Sequence, residues 1–430
     1  MNRPAVALAA LVFMLAACGG ASPSTSRSPD ASPAPTSAPT PPPSAAPTGD
    51  VAALYREIED QVIAERGLPA KERIEPTVLP QDEAKARLKA QFEKDNPPDK
   101  IAVAEETLKA LGLLPADASL NTLYVDMLGS QVAGFFDPAT REIVVVSKSG
   151  AIGAVEKVTF AHEFTHVLQD QAFGLQGIDV DAVGQGDRSL GRLALVEGDA
   201  TLMLTRWLAE HLPPAELGEL LKVDPEAQAQ LARMPATLRE TLMFPYQQGF
   251  TFVNSLWSRG GWQAVDRAYG RLPDSTEQVL HPAKYETREL PAEVALDAGG
   301  LAKAMGAGWS ATPEDTLGEF QLSVWLRENG VKALPAGDAA AGWGGDRLAY
   351  LRGPNGAYAL ALVTAWDSAG DVSEFLAAAK TAASNLPGSA EARVVPAADG
   401  AGSLDRVVVL VASDGATLNF LRGIFLDARP

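Results

Sequence analysis

The spacing of apolar positions predicts a helical N-terminal region followed by a β-hairpin. Apolar side chains four residues apart, such as Leu54 and Ile58, predict helices in residues 51–112, and several prolines divide this stretch. Two β-prone runs, 132–136 and 142–146, flank an Asp-Pro turn. Runs of this length around a turn are typical of an antiparallel hairpin.

Two long helices are predicted after the hairpin. The first covers Ala154–Phe173 and is ended by Gly174, and the second covers Leu193–Leu212 and is ended by two prolines. The Gly- and Asp-rich loop Gly174–Gly191 that joins them is longer than a routine connection, which makes it a candidate for function. Helical sequence continues to about Tyr269.

The C-terminal part of the chain has a different pattern. Ala357–Thr364 and Arg406–Val411 predict strands, whereas Ser373–Ala383 predicts a helix. We therefore predict an α+β fold class, with a main domain over residues 50–310 and a small α+β region over residues 311–430.

The N-terminus predicts an exported protein. Residues 1–17 carry one charged side chain, Arg3, followed by the apolar run Ala5–Ala17, which is typical of a secretory signal peptide. The run is shorter than the about 20 residues of a membrane-spanning helix. It ends in Leu15-Ala16-Ala17-Cys18, which resembles a bacterial lipobox and predicts a lipid on Cys18. The alternative is an ordinary signal peptide with an incidental cysteine.

Residues 18–49 favour the lipoprotein interpretation. They consist mainly of Ser, Pro, Thr and Ala, with almost no large apolar side chain. Such a segment cannot bury enough apolar surface to offset its conformational entropy, so it predicts a disordered tether. We expect a protein held by its lipid anchor at the extracytoplasmic face of the cell membrane.

Charge and cysteine content exclude two further features. The formal net charge of −18 argues against a nucleic-acid partner, because phosphates would repel the chain. Cys18 is the only cysteine, so no intrachain disulfide can form. Neither property predicts an oligomeric state.

The motif His162-Glu163-Phe164-Thr165-His166 carries the candidate chemistry. It has the pattern H-E-x-x-H within a predicted helix, where residues four apart lie on one face and can bind one metal ion. Zinc lowers the pKa of a bound water from about 15.7 towards 7, and the glutamate between the histidines can act as general base. The alternative is a solvated helix with two incidental histidines. The flanking residues are apolar, which disfavours that alternative.

A catalytic zinc ion needs a third protein ligand and an open position. No third histidine follows the motif at the spacing H-E-x-x-H-x-x-G-x-x-H, and Ala172 takes that place. Glu197 is the next candidate, because a second helix returning after the loop would bring it to the metal. The alternatives for Glu197 are a surface glutamate or a charge at a helix N-terminus. Three loop carboxylates are weaker rivals as the third ligand, and we expect them to be solvated or to bind a structural cation. These carboxylates are Asp179, Asp181 and Asp187.

These residues resemble the gluzincins, the thermolysin-like zinc peptidases. More closely, the chain resembles poorly characterised secreted bacterial proteins classed as metallopeptidases. The segments that carry this resemblance are Gly134–Pro138, His162–His166 with Gln169–Gln171, Val196–Ala200, Tyr246–Phe250 and Ser275–Pro282. The resemblance implies zinc, proteolysis and a zincin-like fold. One departure is Thr201, because thermolysin-like enzymes carry an aspartate four residues after the ligand glutamate. Asp199, two positions on, would point across the helix.

Peptide hydrolysis also requires a donor for the developing oxyanion. His281 and Tyr285 lie in a segment that resembles a loop, and either could reach into a cleft; Tyr246 is a third candidate. In the related enzymes a tyrosine and a histidine downstream of the motif have this role. We further expect Glu142–Ser147 to be an edge strand that pairs with extended substrate; an ordinary core strand is the alternative.

The sequence therefore predicts a lipid-anchored zinc metalloendopeptidase that acts on a protein or peptide substrate. Zinc would be bound by His162, His166 and Glu197, and Glu163 would be the general base. One alternative is a binding lipoprotein with a non-catalytic metal. Another is a zinc amidase that acts on the cell wall.

Overall fold

The computed structural model describes residues 8–11, 49–147, 151–222, 225–396 and 405–427. Cys18 and the tether up to residue 48 lie outside the described residues, as does most of the predicted signal peptide. The helices are α1 (Gly49–Arg66), α2 (Gln81–Asp95), α3 (Pro98–Ala110), α4 (Leu120–Gln131), α5 (Ala154–Phe173), α6 (Gly186–His211), α7 (Pro214–Leu220), α8 (Pro225–Arg233), α9 (Ala236–Tyr269), α10 (Thr276–Leu280), α11 (Pro282–Thr287), α12 (Ala298–Met305), α13 (Gly318–Glu328), α14 (Ala333–Ala340), α15 (Ala369–Ala383) and α16 (Gly415–Asp427).

The strands form two sheets. They are β1 (Leu8–Leu11), β2 (Thr77–Leu79), β3 (Val132–Asp137), β4 (Glu142–Val146), β5 (Ser310–Ala311), β6 (Trp343–Arg352), β7 (Tyr358–Trp366), β8 (Ser389–Val395) and β9 (Arg406–Ala412). The first sheet has the order β1-β3-β4-β2 and the second has the order β5-β6-β7-β9-β8. Helices and sheets are combined in one chain, so the predicted α+β fold class is confirmed.

The predicted hairpin is present, but the prediction that its second strand lies at an edge is wrong. β3 and β4 pair antiparallel, with Phe135 opposite Val144. β4 also pairs in parallel with the short strand β2, so Glu142–Ser147 has a neighbour on both sides. Ile143 and Val145 face one apolar cluster and Val144 faces another, which explains the uninterrupted apolar run of this interior strand.

Helix α5 has the predicted bounds and lies at the centre of the first region. Phe160 and Phe164 pack against Ile58 and Val62 of α1, and all four side chains are buried. The helix ends at Gly174, which has a φ of 72°. A left-handed residue at this place is a common helix C-terminus and favours glycine.

Helix α6 begins seven residues earlier than predicted, at Gly186 instead of Leu193. Its first turns are polar in sequence but include the buried residues Asp187 and Ser189. The loop between the two long helices is correspondingly shorter and contains a 3-10 turn, Leu175–Gly177. Polar residues buried by tertiary contacts cannot be recognised from an apolar periodicity.

The second sheet separates two apolar clusters in the C-terminal region. Alternate residues of β9 face opposite sides, because side chains in a strand alternate. Val407 and Val409 face helices α13, α14 and α15, whereas Val408 and Leu410 face α12 and α16. The predicted strands and helix in this region are present, and β6 and β8 are additional. Among the described residues, no helix has the length and apolar character needed to cross a membrane.

Candidate metal centre

The two histidines of the motif converge on one point. His162 and His166 lie one turn apart on α5, and both side chains are buried. Their Nε2 atoms are 3.1 Å apart, and the rings are nearly perpendicular, at 88°. Helical spacing alone therefore brings two imidazole nitrogens to within ligand distance of one ion.

Helix α6 adds a carboxylate to this pair. Glu197 is 2% exposed, and its Oε2 atom lies 3.3 Å from His162 Nε2 and 3.4 Å from His166 Nε2. No donor among the described residues reaches this oxygen in good hydrogen-bond geometry. Three buried ligand atoms thus form a triangle with nearly equal sides.

The size of the triangle fits a tetrahedral zinc site. Zinc binds imidazole nitrogen and carboxylate oxygen at about 2.0–2.2 Å, so neighbouring ligands of a tetrahedral ion lie about 3.3 Å apart. The three observed distances are 3.1, 3.3 and 3.4 Å. A structural zinc site normally has four protein ligands, whereas three and an open position are typical of a catalytic one.

The charges of the three groups also favour a cation. Burial lowers the pKa of His166, but attraction to Glu197 outweighs burial and raises that pKa to about 9. Burial would raise the pKa of Glu197, yet the neighbouring imidazoles lower it to about 2. The pKa of His162 is lowered, mainly by burial. The carboxylate stays ionised and requires a positive partner, which a metal ion can provide.

Glu163 and Tyr246 lie beside the triangle. Glu163 is fully buried, and its charge contributes to the raised pKa of both His166 and Tyr246. Burial is the main cause of the high pKa of Tyr246, followed by the charges of Glu197 and Glu163 and a hydrogen bond to Glu197. The phenol of Tyr246 is therefore a neutral hydroxyl at physiological pH.

A close helix crossing places Tyr246 at this site. A Cβ atom on Gly198 would lie 2.2 Å from the carbonyl oxygen of Gly249, and one on Gly249 would lie 2.2 Å from that of Ala194. Only glycine permits this approach of α6 and α9. Gly198 follows Glu197 and Gly249 lies one turn after Tyr246, so the crossing brings the tyrosine to the ligand carboxylate.

Two further polar side chains make contacts next to the ligands on α5 and α6. Gln169 of α5 is fully buried, with its Oε1 atom 2.7 Å from His166 Nδ1. Asp199 accepts hydrogen bonds from Arg66 of α1 and from Tyr269, so it connects α6 to other helices instead of orienting a histidine. No role for Gln169 or Arg66 was predicted from the sequence. The signals for Gln169 were its place in the segment Gln169–Gln171, which carries part of the resemblance, and its position three residues after His166 on the same helix face.

The other predicted oxyanion donors make contacts elsewhere. His281 is 42% exposed, and its Nε2 atom lies 2.9 Å from Glu319 Oε1. The hydroxyl of Tyr285 donates to the carbonyl oxygen of Arg271 at 2.7 Å. Neither contact includes the three ligand candidates, so a role for either residue stays a prediction.

The three loop aspartates have separate partners. Asp179 and Asp181 lie near Arg192 and Lys100, in exposed ion pairs. Asp187 is instead buried, and it accepts hydrogen bonds from the backbone and hydroxyl of Thr276. The expectation of a solvated side chain is therefore wrong for Asp187, because α6 begins before this residue and carries it into the interior.

A second group of ligand-type side chains lies between α10, α11 and the end of β7. Carboxylate oxygens of Glu277, Glu289 and Asp367 lie within 4.8 Å of one another. The ammonium group of Lys284 occupies the middle of this group, at 2.7, 2.6 and 2.5 Å from the three carboxylates. This group already contains its cation.

Comparison with known proteins gives one match. Residues 307–424 match a family described as a domain of unknown function (DUF8575). This match covers the C-terminal sheet and most of its helices but none of the candidate metal ligands. The chain matches no curated protein and no solved structure.

Proposed function

We propose that the protein is a zinc-dependent peptidase with a zincin-like catalytic region, and that His162, His166 and Glu197 hold the metal. The observation that carries the proposal is the buried triangle of ligand atoms with sides of 3.1, 3.3 and 3.4 Å. When bound, zinc supplies a Lewis acid and a water of lowered pKa.

The residues around the triangle have the functional groups that peptide hydrolysis requires. Glu163 lies next to the ligands on α5 and accepts a proton from the attacking water, as a general base. The neutral hydroxyl of Tyr246 donates a hydrogen bond to the oxygen that becomes negative on the scissile carbonyl. Tyr246 is a better supported donor than His281 or Tyr285, because it contacts Glu197.

Strand β3 is the proposed docking edge for an extended substrate. A Cβ atom on Gly134 of β3 would lie 2.5 Å from Thr159 Cγ2 of α5. The strand therefore packs tightly against α5 at a position one helical turn before His162. β1, Leu8–Leu11, pairs antiparallel with β3. Cleavage before Cys18 removes β1 with the signal peptide, and a substrate strand can then add to the same edge. We retain the proposal of an exported protein with a lipid on Cys18.

The test is cleavage of unfolded casein by the full chain, with and without a zinc chelator. We expect the chelator to stop cleavage and Glu163→Gln to reduce it at least about a hundredfold while zinc content stays near one per chain. Glu210→Gln, on an exposed position of α6, is the matched control and should retain activity. Cleavage by Glu163→Gln at the wild-type rate would contradict the mechanism.

The same preparation distinguishes the two alternatives. Digestion of peptidoglycan without cleavage of casein would indicate a cell-wall amidase. Zinc binding without hydrolysis of either substrate would indicate a binding lipoprotein. The set of three protein ligands instead of four and the buried carboxylate of Glu163 favour the peptidase over this last alternative, because a structural site normally has four protein ligands and needs no general base.

A further inference from the structure

Gln169 connects the two helices that carry the ligands. It lies three residues after His166 on α5 and is fully buried. Its Oε1 atom is 2.7 Å from His166 Nδ1, and its Nε2 atom donates to the carbonyl oxygen of Val196 at 3.0 Å. Val196 immediately precedes Glu197 on α6. One amide group thus contacts both ligand-bearing segments.

The Val196 carbonyl fixes the orientation of this amide. A carbonyl oxygen can only accept, so the NH2 group of Gln169 must face it. The amide oxygen then faces His166, which must carry its proton on Nδ1 to donate. When the ring is neutral, as a metal ligand must be, the other ring nitrogen, Nε2, has its lone pair directed towards His162 and Glu197. This is the tautomer that a metal ligand requires.

We propose that Gln169 is a positioning residue for the metal centre, and this inference rests on the proposed zinc site. It holds His166 in the ligand tautomer and ties the ring to the backbone beside Glu197. His162 has no such support, because its Nδ1 atom has no hydrogen-bond partner among the described residues. The two imidazoles are therefore unequal, and Gln169 orients one of them.

An electrostatic argument explains why position 169 carries a neutral amide and not a carboxylate. Histidine ligands commonly donate to a carboxylate, a carbonyl or a water. Glu163 and Glu197 already place two buried carboxylates here, which balance the charge of one zinc ion. A carboxylate at position 169 would add a third negative charge, whereas an amide accepts the same hydrogen bond without it.

The experiment measures zinc affinity by competition with a chromophoric chelator, for wild type, Gln169→Met and Gln169→Glu. Methionine has a similar length and no comparable acceptor, so we expect a 10–100-fold loss of affinity. Glutamate keeps the acceptor facing His166 Nδ1 but loses the donor to Val196 and adds a negative charge, so we expect its affinity to lie between those of Gln169→Met and wild type. Gln228→Glu adds the same charge on an exposed helix and should change nothing.

A packing role predicts the reverse order, because methionine would be tolerated and a buried glutamate would not. Wild-type zinc affinity in Gln169→Met would overturn the inference, as would equal losses in both variants. If Gln169→Met does not fold, Gln169→Asn replaces it, since its amide is one methylene too short to span both partners. The casein assay tests the proposed function separately. A wild-type protein that binds zinc but does not cleave casein contradicts the proposed function and leaves the affinity comparison valid.

Discussion

The described part of the chain contains two clusters of three ligand-type side chains, and they satisfy their charge in different ways. His162, His166 and Glu197 are all buried, and within the described residues Glu197 forms ion pairs with the two histidines and with no lysine or arginine. The cluster of Glu277, Glu289 and Asp367 surrounds the ammonium group of Lys284. Both sets of atoms are close enough together for a metal ion, but only the first lacks a cation of its own.

The difference shows why the closeness of ligand atoms is an incomplete criterion for a metal site. In the second cluster, Glu289 and Asp367 are 42% and 38% exposed, so water and Lys284 together stabilise the carboxylates. In the first cluster the ligand atoms are out of contact with water. A buried carboxylate that keeps its charge needs a strong partner, and the described residues supply only a proton on His166.

The largest expected effect comes from removing the charged ligand of the first cluster. Saturating zinc, at about a thousandfold excess over Kd, should stabilise the wild type by about 4 kcal/mol. Glu197→Ala removes one of three ligands and should abolish this gain. The measurement is thermal unfolding with and without zinc. Glu210→Ala, exposed on the same helix, should keep the full gain. A zinc effect of normal size in Glu197→Ala would show that the metal binds elsewhere.

The second cluster should destabilise the folded protein when its cation is removed. Lys284→Met leaves three carboxylates without a counter-charge, and we expect a loss of about 3 kcal/mol in the free energy of unfolding, measured in urea. Millimolar calcium should recover part of this loss, because calcium prefers carboxylate oxygens. It should have little effect on wild type.

Lys303→Met is the matched control, since this lysine is exposed and its substitution should cost less than about 0.5 kcal/mol. If Lys284→Met were as stable as wild type, the ammonium group would not be the cation that holds this cluster.

The sequence was sufficient wherever the determining interactions are local. The bounds of α5, the hairpin β3–β4 and the shared face of His162 and His166 follow from periodicity and turn residues within one segment. The position of Glu197 beside the histidines could be predicted on the single assumption that the next helix runs back along α5. These features needed no knowledge of the remaining chain.

The sequence was insufficient where a contact between residues far apart in the chain determines the structure. β4 becomes an interior strand because the three residues of β2, between two prolines, pair with it. Tyr246 reaches the site through the crossing of Gly198 and Gly249, which are 51 positions apart in the numbering (249 − 198). A pattern of apolar residues does not show which helices pack against each other, so it could not indicate which of the three candidate donors lies beside Glu197.

The smallest expected effect concerns the buried member of the second cluster. Glu277 is 2% exposed, and burial raises its pKa from 4.5 to about 7 in spite of the contact with Lys284. The folded state therefore holds the proton more tightly than the unfolded state. Stability contributed by this group is fully present below pH 4.5 and is lost as the pH rises through about 7.

Replacing Glu277 by glutamine should remove this loss, because the amide carries no charge at any pH. We expect Glu277→Gln to match wild type near pH 4 and to exceed its free energy of unfolding by about 2 kcal/mol at pH 8. Urea unfolding at several pH values measures the difference, and Glu293→Gln, at an exposed position, should show none. A variant less stable than wild type at pH 8 would mean that attraction to Lys284 exceeds the cost of burial, and that the second cluster is held by its ion pair alone.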